Sequence, residues 1–147
     1  MFQVFSQRDP RWASKTLGQT PYTMYDIGCT TTCVSMSGTW FNEVITPGDL
    51  CKKLKYTSNG YLYWSSIGEV FKTMKFEWRF YTYDQFRIDE ALKNPNKTVL
   101  LNVMGGKHWV HALNRIPFTR TFWVADPIDG RRKVYSGVIG GAVLVKK

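Results

Sequence analysis

The chain has 147 residues, 44% apolar and 16% aromatic, with 20 Lys and Arg against 11 Asp and Glu for a formal net charge of +9. Apolar surface on that scale offsets the entropy lost on folding, which excludes disorder, and the length suits one domain over residues 1–147. The longest apolar run, Val138–Val145, contains Gly140 and Gly141 and falls far short of the roughly 20 residues that cross a bilayer, so no membrane span is expected.

The opening stretch MFQVFSQRDPRWASKTLGQT has neither an apolar signal segment nor a small-residue cleavage site, and synthesis in the cytoplasm without a signal peptide is expected. It reads as irregular. After Gly28, the residues Cys29, Cys33, Met36 and Trp40 recur at helical spacing and predict a helix from Cys29 to Phe41. Its threonines are poor helix formers, so packing must support it. Thr46-Pro47-Gly48-Asp49 opens a second helix: Thr46 caps it, Pro47 suits its first position, and Asp49 meets the positive first turn. Ser66 and Glu69 form a capping-box pattern ahead of Val70, Phe71 and Met74, predicting a third helix. Asp84 caps a fourth, with Phe86, Ile88, Ala91 and Leu92 inside and Asn94-Pro95 stopping it.

Beyond Asn96 the pattern changes to strand. Thr98–Met104, His108–Arg115, Thr121–Ala125, Val134–Ser136 and Ala142–Lys146 are strand candidates separated by Gly and Pro. Helices first and strands second predict an α+β domain in two layers, N-terminal helices packed on a C-terminal antiparallel sheet.

The three cysteines, Cys29, Cys33 and Cys51, are too few and odd in number for a disulfide framework, and free thiols are expected. A Cys29–Cys33 bridge is disfavoured, because side chains leaving one helix face aim poorly at each other. The two histidines, His108 and His111, lie three apart on one predicted strand and so face opposite ways. They cannot share a metal, and no zinc spacing occurs elsewhere.

A hairpin about Ile116–Arg120 places Val110 opposite Val124 and His108 opposite Asp126, within reach of an imidazole–carboxylate hydrogen bond. Such a carboxylate selects one tautomer and supports the imidazolium. Cys29 stands at a predicted helix N-terminus, where the dipole and a nearby imidazolium favour a thiolate and free amides can hold an oxyanion. Cys33 and Cys51 read as core, and His111 as structural or surface. Asp9 and Trp12 read as anchors of the N-terminal segment. The aromatic stretch Tyr56–Trp64 reads either as core packing or as the wall of a substrate cleft.

Taken in order, Gln7-Arg8-Asp9-Pro10-Arg11-Trp12, Gly28-Cys29, His108-Trp109-Val110 and Asp126-Pro127 resemble the papain-like family of bacteriocin-processing peptidases and their stand-alone relatives. The family pattern is a Gln-x-Asp-x-x-Trp opening, a Gly-Cys helix start, a His-Trp strand and an Asp-Pro strand end, and the resemblance covers almost the whole chain. It implies a papain-like fold, Cys29 as nucleophile, His108 as general base and acid, Asp126 as its orienter, Gln7 as side-chain oxyanion donor, and no cofactor. Cys33, one turn after the nucleophile, and the run Thr30-Thr31-Thr32 depart from that pattern.

These readings point to a cysteine hydrolase of peptide or amide bonds in bacterial peptidoglycan, similar to a bacteriophage endolysin and acting on the cell wall after release. The positive charge suits anionic wall polymers. One alternative is a processing peptidase for Gly-Gly-type leader peptides. Another is a basic nucleic-acid-binding module with a vestigial site. The scattering of basic residues into small clusters, Lys52-Lys53-Lys55, Arg131-Arg132-Lys133 and Lys146-Lys147, disfavours the latter.

Overall fold

A computed structural model describes residues 1–147. The helices are α1 (Met24–Ile27), α2 (Cys29–Trp40), α3 (Pro47–Lys53), α4 (Ser66–Val70) and α5 (Gln85–Lys93). The strands are β1 (Met74–Phe80), β2 (Lys97–Val103), β3 (His108–Arg115), β4 (Phe122–Asp126), β5 (Arg131–Tyr135) and β6 (Gly140–Lys146). They form one six-stranded sheet in the order β1-β6-β2-β3-β4-β5. Every neighbouring pair is antiparallel, so the protein is an α+β domain.

Local chemistry accounts for most of these boundaries. Thr46 accepts a hydrogen bond from Asp49 N–H at the start of α3, with Pro47 at its first position. Asp84 does the same for α5 through Arg87 N–H at 3.1 Å. The low-propensity helix α2 exists because it is buried from Thr31 to Thr39 on nearly every side. Its apolar members Val34 and Met36 each gain roughly 1.5–3 kcal/mol by leaving water. Several of its hydroxyls are satisfied in place, Ser35 by Ile45 O and Thr39 by Met36 O.

Several expectations need correction. The helices do not all precede the strands, because Met74–Phe80 forms the edge strand β1 ahead of α5. Met-Lys-Phe-Glu-Trp-Arg-Phe alternates with period two, a strand signal that the neighbouring helix pattern hid. The capping box also does not form: Ser66 Oγ donates to Tyr63 O, and α4 ends at Val70. The two-layer arrangement is incomplete as well. Leu100 of β2 packs in one cluster with Cys33, Val34 and Met36 of α2, whereas Val99, Leu101 and Val103 pack in another with Ile88 and Ala91 of α5. Alternation along a strand sends these two sets to opposite faces, so α2 covers one face and α5 the other. Within α5, Phe86 points outward, at 78% exposure.

The β3–β4 register also differs from the expected one. Ala112, not Val110, lies opposite Val124, and a bulge falls between Ala112 and Asn114. The slip amounts to two residues at the His108 end. A slip of one would have turned His108 to the other face of the sheet; a slip of two keeps it on the face of Asp126 as a diagonal neighbour.

Candidate active site

Cys29 begins α2, directly after a break in the helical ladder. Ile27 N–H and Gly28 N–H bond the carbonyls of Thr23 and Met24, but the next carbonyl, Tyr25 O, accepts instead from Gln7 Nε2 at 3.1 Å. Cys29 N–H belongs to the first-turn amides of α2, which no side chain caps. Gly28 has an ordinary φ of −80°. Its glycine is required for close approach, because a Cβ there would come within 2.5 Å of Met24 O and 2.8 Å of Met24 Cα. The three thiols are free, and only Cys29 is partly exposed.

His108 begins β3 after a tight turn at Met104–Gly106, where Gly105 and Gly106 take φ of 65° and 95° and Met104 joins them at 54°. His108 Nε2 meets Asp126 Oδ1 at 2.8 Å. The carboxylate can only accept, so Nε2 carries the proton and Nδ1 is the nitrogen that can exchange one. Burial pushes His108 down, but Asp126 and then Cys29 outweigh it and raise its pKa to about 9. Cys29 adjoins the ring and favours the imidazolium.

Asp126 ends β4 and is fully buried. Burial opposes its charge, but His108, Tyr135 and Ile128 N–H donate to it and hold it well below the usual carboxylate range. Tyr135 Oη donates to Oδ2 at 2.6 Å, and Lys133 Nζ lies 3.1 Å from the same oxygen while also pairing with Asp129. The sequence reading missed both. The signal was parity: β4 pairs with β5 so that Arg131, Lys133 and Tyr135 fall on the face of Asp126.

Gln7 is buried, and it too reaches this region. Its backbone N–H donates to Pro127 O at 2.7 Å, next to Asp126, while its side chain holds Tyr25 O one turn before Cys29. One N–H of the Nε2 amide remains beyond that bond. The N-terminal segment is fastened further by Trp12 Nε1 donating to Ser6 O and by Gln3 N–H donating to Thr39 Oγ1.

The remaining thiols and histidine are structural. Cys33 is buried and its thiol donates to Trp109 O across the helix–sheet contact, with burial raising its pKa. Cys51, likewise buried, donates to Gly48 O. His111 faces α2, where its Nδ1–H donates to Ala112 O, so Nε2 must accept from Ser37 Oγ at 2.8 Å. Ser37 Oγ in turn accepts from Thr98 Oγ1. This chain is complete only with a neutral ring, and burial pulls His111 down to about 4.

Cys29 opens onto a cleft of about 560 Å³. Tyr56, Tyr61 and Trp64 line it, so part of the aromatic stretch is cleft wall. Trp64 is also core, since its ring lies against Phe76 and Trp109 at 5.6 and 5.2 Å. No family model matches the chain, and no curated protein matches it.

Proposed function

We propose that this protein is a cysteine peptidase or amidase of the papain-like kind, in the manner of the bacteriocin-processing peptidases, and that its substrate is peptide in the bacterial cell wall. The observation that carries the reading is the His108–Asp126 pair beside a partly exposed Cys29 at a helix N-terminus, with that thiol opening onto a cleft. A net charge of +9 supports a target embedded in anionic polymer, as in a phage endolysin.

In this mechanism the Cys29 proton already rests on His108 Nδ1, and the sulfur attacks the carbonyl carbon, forming a C–S bond. The carbonyl electrons move to oxygen, which meets Cys29 N–H and the remaining N–H of Gln7. The oxyanion collapses, the C–N bond breaks, and the imidazolium protonates the departing amine. Water then gives a proton to His108 and attacks the thioester, releasing a carboxylic acid and the thiolate. Asp126 keeps the ring oriented and its Nε2 protonated throughout.

The test is incubation with purified peptidoglycan and detection of new free amines. The wild type is expected to release them and Cys29→Ala to release none. Equal release from both overturns the cell wall reading. Cleavage confined to Gly-Gly-type leader peptides in a parallel panel would retain the hydrolase and replace its substrate.

A further inference from the structure

The cleft contains charge that the acyl-transfer chemistry does not use. Arg79 of β1 lines it and is only partly exposed. Its guanidinium carbon lies over two rings, 4.2 Å from the Tyr81 centroid and 4.8 Å from that of Trp109. Nη1 donates to Phe80 O and Gly141 O, which pins the group from one side. That close approach depends on a small strand partner, because a Cβ on Gly140 would lie 3.1 Å from Nη1. Nε and Nη2 make no hydrogen bond to the protein, since both bonds of the group run through Nη1, and Arg79 has no ion-pair partner. The free Nε–Nη2 edge is a planar fork that matches a carboxylate.

Two further features of the cleft agree. Lys107 lines it as a second cation, and no Asp or Glu lines it at all. Asn102 of β2, more than nine-tenths buried, also lines it, and its Oδ1 has no hydrogen-bond partner. A buried acceptor without a donor is costly, and a turn of the Asn102 amide toward the cleft would bring Oδ1 to an N–H of a bound peptide.

We propose that this cleft is a specificity site for peptides bearing a free carboxylate near the scissile bond, with Arg79 binding the carboxylate through its Nε–Nη2 edge and Asn102 accepting from a peptide N–H. Its role as a specificity site rests on the hydrolase reading above; the recognition of a carboxylate does not. Lys107 adds attraction without fixed geometry, and the aromatic wall takes the apolar part of the peptide.

The experiment uses the full chain as Cys29→Ala, with N-acetylated and C-amidated alanine peptides carrying one glutamate moved position by position, each beside its glutamine twin. Binding is followed by calorimetry. At one position the glutamate peptide is expected to bind about tenfold more tightly than its twin, as a charge-assisted bidentate contact does. That preference is expected to vanish in Cys29→Ala with Arg79→Gln, and to fall sharply with Arg79→Lys, which keeps the charge and loses the fork. The glutamine twin, measured in the same variants, reports whether the cleft remains folded. Equal binding of both twins at every position, no binding of either, or a preference that survives Arg79→Gln overturns the proposal. Cleavage of the same peptides by the wild type separates the two readings. Discrimination in binding without cleavage retains the carboxylate site and removes the hydrolase, whereas equal binding and cleavage of both twins does the reverse.

Discussion

At the scale of single residues, the site is governed by how Asp126 is held. A fully buried carboxylate keeps its charge only where donors surround it, and His108, Tyr135, Ile128 N–H and Lys133 do so. That charge keeps His108 protonated up to about pH 9 against the pull of burial. Asp126→Asn preserves an acceptor for Nε2 and removes the charge. The alkylation rate of Cys29 by iodoacetamide, followed against pH, should therefore fall near neutrality in Asp126→Asn, where less imidazolium stands beside the sulfur to favour its thiolate. Cys33 and Cys51 should stay unlabelled in the folded protein because both are buried. An unchanged profile in Asp126→Asn would show that the carboxylate does not control the ring.

At the scale of elements, glycines decide where backbones meet. A Cβ on Gly141 of β6 would lie 2.5 Å from Leu100 O of β2 and 2.3 Å from the Phe80 ring. At Gly28 the obstacle is the backbone of α1, at Met24. Gly141→Ala is expected to lower stability by about 1–3 kcal/mol through overpacking, and Gly28→Ala to do likewise. The two should part company in reactivity. Gly28→Ala displaces the start of α2 and should slow Cys29 alkylation in protein that remains folded, while Gly141→Ala strains the sheet at β6. Denaturant melts paired with alkylation rates check this, and equal reactivity of the two variants would contradict it.

At the scale of the whole molecule, the two histidines set opposite pH responses. His111 joins α2 to the sheet as a neutral ring, with a folded pKa of about 4 against an ordinary value of 6.5. Between those values the unfolded chain binds a proton that the folded chain refuses, so stability is lost as pH falls through that window and levels off below it. His111 should contribute about 2 kcal/mol of lost stability between pH 7 and pH 5, at roughly 1.4 kcal/mol per pH unit below its unfolded pKa. Thermal melts at the two pH values check this, and His111→Gln should shrink the difference. No helix of the protein is long and apolar enough to cross a membrane.

Much of this protein is legible in the residues themselves. Caps at Thr46 and Asp84, the apolar runs of β2 and β3, and the strand-ending Asp126-Pro127 act through neighbours in the chain, so their outcome follows from local chemistry. The pairing of His108 with Asp126 was visible as well, although by opposition in a register that the bulge after Ala112 altered. Alternation tolerates an even slip, which is why the pair survived. What only the tertiary structure decided depends on atoms distant in sequence. It placed α5 on the second face of the sheet, brought β1 to β6, and carried Gln7 between Pro127 and Tyr25. It also fixed Tyr135 on Asp126 and laid Arg79 along the cleft that Cys29 shares. Such contacts are selected by the packing of the whole core and by long-range pairing, neither of which a stretch of sequence encodes on its own.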